Sequence, residues 1–273
     1  MAAIPTRPPI APPLSSPIPT STGASAITPS SNQVVVLYVV IAMSVIIFGF
    51  WNVPIVRNFI NPLKLFTIGW HELCHVFAFL TQAILSGGRV LKITIDPRVG
   101  GATIVEGGRP TFILSSGYIG SALFGGIFIL GGWDTLVAKI MSFVLGIGLI
   151  MPLALVRDKL TILLTTFYEA LLIGFWFIDH GQALRWYCLF IGVMNVLYVV
   201  WDVADDRFFH KTNDSDATQF YFLYPRIGPH LWAAFWVIFS IGVLAGFAIL
   251  GIMVFKLSNA DMDTQASTFL PTR

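Results

Sequence analysis

Apolar runs of membrane length constrain this chain more than any other feature. An α-helix needs about 20 residues to cross the hydrocarbon core, at 1.5 Å of rise each. From Gln33 onward such runs recur at 34–51, 59–86, 112–131, 135–156, 160–179, 186–204 and 229–256. Charged residues make up 11% of the chain, whereas a water-facing domain carries about 25%. A cytosolic enzyme and a disordered regulator are both excluded. The expected fold is an all-α polytopic membrane protein of about seven transmembrane helices.

Three compositional zones follow. Residues 1–32 are rich in Pro, Ser, Thr and Ala, with Arg7 as the only charged side chain. Such a tail buries too little apolar surface to offset its ordering entropy, so disorder is expected there. It lacks the short basic region and early apolar run of a secretory signal. Residues 33–256 form the membrane domain, and 257–273 a short polar C-terminal tail. A net charge of +2, with singly scattered basic residues, gives no basis for a nucleic-acid partner. Cys74 and Cys188 lie inside apolar runs and read as small hydrophobes rather than a disulfide.

Two connections are long. Residues 87–110 alternate from Val90 to Ile95, turn at Asp96-Pro97, and run again from Ala102 to Val105, which is a β-hairpin signal. Residues 205–228 form a polar connection. Lys and Arg are more numerous on the side holding the N-terminal tail and both these connections, which therefore should face the cytosol. Trp51, Trp133 and Trp186 read as interfacial anchors, Lys64 as a snorkelling base, and Glu169 as a carboxyl turned towards a neighbouring helix.

The chemistry is concentrated in the second apolar run, which reads Trp70-His71-Glu72-Leu73-Cys74-His75-Val76. Histidines at i and i+4 project from one helical face, close enough to share one zinc ion. Glu72, one position along, falls beside the open coordination position, where a carboxylate can take a proton from an activated water. An ionisable side chain in the membrane costs about 2.5–3.5 kcal/mol on insertion scales, so three clustered ones require a function or a partner. Zinc needs at least a third protein ligand, and the candidates are Asp202 near the end of the sixth run and Asp205, Asp206 and Asp216 in the polar connection after it.

With these residues in view, the chain resembles the site-2-protease-like intramembrane zinc metallopeptidases, in particular the compact branch similar to the B-type site-2 peptidases. The hairpin after the metal-binding helix, Gly117-Tyr118-Ile119-Gly120 and Ser215-Asp216-Ala217 carry the likeness further. Family members usually have Gly where this chain has Cys74, which places a thiol beside the proposed ion. They usually supply the third ligand as an Asp following Asn and Pro in a later span. The nearest echo here runs from Asn195 to Asp202 and lacks the proline and the following glycine, so the resemblance favours Asp202.

The resemblance implies a zinc-dependent endopeptidase that cleaves a membrane-spanning protein substrate in or near the bilayer, with Glu72 as catalytic base and His71, His75 and Asp202 as ligands. A proteolytically inactive homologue acting as membrane scaffold or chaperone is the first alternative. A proton or metal-ion carrier using His71, Glu72 and Glu169 is the second. The sequence names neither the substrate, the organelle nor the oligomeric state.

Overall fold

The computed structural model describes residues 27–53, 55–86, 89–96, 100–154, 159–208 and 213–271. The tail expected over 1–32 lies outside the described residues as far as residue 26, and so does the hairpin tip at 97–99. In chain order the elements are α1 (Ser31–Asn52), α2 (Asn61–Ser86), β1 (Arg89–Asp96), β2 (Gly100–Glu106), α3 (Pro110–Gly131), α4 (Thr135–Ile150), α5 (Lys159–Phe175), α6 (Gln182–Val196), α7 (Tyr198–Arg207), α8 (Asp216–Leu223), α9 (Pro229–Val254) and α10 (Asn259–Thr268).

Local chemistry sets many of these boundaries. Ser30 opens α1 with a reciprocal capping box, in which its side chain accepts from Gln33 N and its own N–H donates to the Gln33 side chain. Pro110 and Pro229 occupy the first turns of α3 and α9, where a missing N–H costs nothing. Asp134, Ser215 and Ser258 cap α4, α8 and α10 through side-chain oxygens, each cap worth about 1 kcal/mol. At the other end of α3, Arg185 donates through Nε and Nη2 to the Gly132 carbonyl.

Among the described residues, four helical stretches are long and apolar enough to cross a membrane, namely Ser31–Trp51, Pro110–Gly131, Thr135–Ala154 and Pro229–Val254. A fifth counts if α5 and the helix after it, bent by 101° at Asp179, form one broken span. The seven spans expected from sequence are therefore not all found. α2 occupies the second run but carries the polar pentad and is not among the four. The runs at 160–179 and 186–204 are interrupted. Asp179, His180 and Gly181 all have positive φ at the bend, and Leu197 breaks the helix between α6 and α7.

α3 is the central helix, packed against α2, α4, α6, α8 and α9. Its crossing with α6 is backbone to backbone. A Cβ on Gly125 would stand 2.6 Å from Val196 N, and one on Gly192 2.7 Å from Ile129 N. Close approach of this kind replaces the hydrophobic effect as the source of association between helices in lipid. The hairpin is antiparallel, pairing Arg89 with Glu106 and Asp96 with Gly100 around an irregularity at Val90/Lys92, and it lies against α2.

Several polar side chains are buried more deeply than their sequence contexts imply. Trp51 is buried, not interfacial: its indole stacks on Trp201 and donates to Asp205 Oδ2. Lys64 does not snorkel. It is buried with Nζ over the Trp51 ring and 4.0 Å from Asp205. Lys139, fully buried, donates to the Ala266 and Phe269 carbonyls and so holds the end of α10 on α4.

Candidate metal centre

The α2 backbone places His71 and His75 one turn apart, and both are buried. Their Nε2 atoms are 3.1 Å apart. Asp216 Oδ2 lies 2.9 Å from the first and 3.2 Å from the second. Three donor atoms thus form a nearly equilateral triangle. Around a tetrahedral ion with bonds of about 2.0–2.1 Å, neighbouring donors stand about 3.3 Å apart, so the triangle matches one face of such a site closely.

The hydrogen bonding says which atoms carry protons. His75 Nδ1 is 2.7 Å from the Ile113 carbonyl, which has no proton to give, so Nδ1 donates and a neutral ring presents a lone pair at Nε2. His71 Nδ1 faces Ser121 Oγ at 3.4 Å. Asp216 Oδ2 is buried and, imidazole nitrogens aside, has no hydrogen-bond partner among the described residues. Three electron-pair donors facing one point, one of them an anion, suit a cation. Among the described residues no other such group of His, Cys, Asp or Glu occurs.

Glu72 is buried beside the triangle, with Oε2 accepting from Thr103 Oγ1 at 2.6 Å. The hairpin thereby holds the carboxylate in place. Gly101 makes the approach possible, because a Cβ there would overlap the Glu72 carboxylate. Gly117 on α3 does the same for the histidines, where a Cβ would overlap both imidazoles. Cys74 turns instead towards Gly120, and its sulfur is not in the donor group.

The four acids weighed from sequence have separate places. Of the four, Asp216 is the acid whose carboxylate stands at the histidines, while Asp202, the residue the resemblance favours, stands behind it. Asp202 Oδ2 accepts from Tyr118 Oη at 2.6 Å and from Asp216 N at 3.3 Å. Asp206 Oδ2 accepts from Ser215 N, Ser215 Oγ and Thr218 Oγ1. Asp205 is engaged with Trp51 and Lys64. Asp202 and Asp206 thus both meet the start of α8, and the helix that carries them begins after a break at Leu197. Glu169 lies elsewhere, with Oε1 buried and no hydrogen-bond partner among the described residues.

A cavity of about 780 Å³ opens beside the triangle. Glu72, His75 and Asp216 stand on its wall with residues Gly101 to Val105 of β2 and Phe222 and Leu223 of α8. Thr103 escapes a sequence reading, and Tyr118 is marked only by its place in Gly117-Tyr118-Ile119-Gly120, which does not foretell its bond to Asp202. Ser215 does leave a signal, since Ser-Asp-Ala-Thr is a helix start.

A family model described as peptidase M50B-like matches residues 40–247, a range that includes all residues of the centre. Neither the curated proteins nor the solved structures gave a match. With its apolar helices, the chain is an integral membrane protein, and it belongs to the peptidase M50B-like family.

Proposed function

We propose that this chain is a zinc-dependent intramembrane endopeptidase. The observation that carries the reading is the triangle of His71 Nε2, His75 Nε2 and Asp216 Oδ2, with Glu72 beside it on the wall of an open cavity. His71, His75 and Asp216 would hold the ion. Zinc, when bound, supplies a Lewis acid that polarises a carbonyl and acidifies water.

The chain's own residues account for the rest. Glu72 takes a proton from the attacking water and returns it to the departing amide nitrogen, so that an amine leaves. Thr103 keeps the Glu72 oxygen oriented during both transfers. A helical substrate hides its amides in its own hydrogen bonds and must unwind before cleavage. The β2 segment lining the cavity offers a backbone on which an extended stretch can pair by strand addition. Asn213 Nδ2 donates to the Gly101 carbonyl at 3.2 Å, so a side chain from outside the hairpin already bonds to this strand's backbone. The substrate that this reading calls for is a membrane-spanning protein segment.

The test uses the full chain purified in detergent, a tagged transmembrane peptide and a chelator. Cleavage that the chelator stops and added zinc restores supports the reading. Zinc binding with no cleavage of any membrane segment overturns it in favour of a scaffold.

A further inference from the structure

We infer that Tyr118 and Asp202 are positioning residues that set the third metal donor, acting on Asp216 through the backbone at the start of α8. The inference rests on the proposed metal site and deepens it.

Two of the three donors need no help. His71 and His75 share one helix, and the pitch of that helix fixes their spacing. Asp216 is different. It belongs to a helix of eight residues, which is marginal alone, and it follows a connection that includes residues 209–212. Something must fix where its carboxylate stands relative to the imidazoles.

Tyr118 and Asp202 supply that link from two directions. Tyr118 Oη donates to Asp202 Oδ2 at 2.6 Å and accepts from Ala217 N at 3.2 Å. Asp202 Oδ2 in turn accepts from Asp216 N. The two N–H groups at the start of α8 are thus engaged by one tyrosine hydroxyl and one carboxylate that are bonded to each other. An anion at that point also complements the helix dipole. Tyr118 directly follows Gly117, the residue pressed against both imidazoles. The α3 backbone therefore touches the two histidines at one residue and, at the next, holds the helix that delivers the acid. Both Tyr118 and Asp202 are buried, so water does not compete for these bonds. Asp206 grips the Ser215 side of the same helix start, one turn along α7.

The test measures zinc affinity in the full-length protein by competition with a chromophoric chelator, together with the visible spectrum of the cobalt-substituted form. Tyr118→Phe and Asp202→Ala are each expected to weaken zinc binding by about 10–100-fold, the range for groups that orient a metal ligand, and to alter the cobalt bands. Asp202→Asn, which keeps an acceptor oxygen, is expected to recover part of the loss. The double variant Tyr118→Phe with Asp202→Ala should lose little more than the worse single one, because both act through one link. Asp205→Asn, whose partners are Trp51 and Lys64, should bind zinc as the wild type does. Wild-type affinity and cobalt spectrum in Tyr118→Phe and Asp202→Ala overturn the inference while leaving the metal site standing. Additive losses in the double variant also overturn it, since they mean two separate structural effects. Absence of zinc binding in the wild type instead overturns the proposed function on which the inference rests.

Discussion

The two sources of the metal centre differ in how they are held. α2 is clamped within the bundle between α3 and the hairpin, and its two histidines and glutamate are fixed by helical pitch and tight packing. The segment from α7 to α8 is held by a small set of polar contacts, with Asp202, Asp206 and Tyr118 gathered at one helix start. One half of the site is built by covalent geometry and the other by tertiary hydrogen bonds. A pair spaced by helix pitch and an acid placed by tertiary hydrogen bonds should differ in how they respond to mutation.

Substitutions can break that contrast, and the largest effect is expected within α2. Glu72→Gln keeps the shape and a bond to Thr103 but removes the base, so cleavage should fall by about 10²–10⁴-fold with zinc content unchanged. A variant that cleaves normally removes Glu72 from the mechanism. Next is Gly117→Ala on α3, whose added methyl overlaps both imidazoles. The rings must move, and zinc affinity measured by chelator competition should drop by about 10-fold or more.

Gly125→Ala sharpens the comparison because it disturbs the bundle without touching the site. The new Cβ would meet the α6 backbone at 2.6–2.8 Å, a misfit worth about 1–3 kcal/mol. Thermal unfolding in detergent should begin at lower temperature, while zinc affinity of the folded fraction stays at the wild-type value. The smallest effect belongs to Arg89→Ala at the outer end of the hairpin. Its 2.7 Å pair with Glu106 joins side chains that are 75% and 60% exposed, and such pairs contribute about 0–1 kcal/mol. Cleavage and unfolding temperature should both be close to wild type, and a tenfold loss of activity would show that the hairpin end takes part in catalysis.

The same division governs what the sequence reveals. His71, Glu72 and His75 can be read from spacing because one helix carries all three, and periodicity maps directly onto a face. The hairpin at 89–106 was legible from alternation and turn residues, and the helices at 31–52, 110–131, 135–150 and 229–254 from their apolar length. The third candidate ligand was only partly legible: Asp216 stood among four acids, and the likeness over Asn195 to Asp202 drew weight to Asp202. The helix carrying that pattern is interrupted at Leu197, with φ −92° and ψ 17°. No local spacing encodes the approach of Asp216 to His71 and His75, which is a contact between distant parts of the chain. Lys64 and Trp51 were misread for a related reason: each looked like a membrane-surface residue until its partner, Asp205, arrived from 140 or more residues away.

The most direct measurement is the zinc content per chain of the full-length protein, purified in parallel as wild type, Asp216→Ala and Asp202→Asn. The geometry predicts about one zinc in the wild type, nearly none in Asp216→Ala, and zinc retained with weakened affinity in Asp202→Asn. Full zinc in Asp216→Ala, with loss in Asp202→Asn, would contradict it and return the ligand role to Asp202.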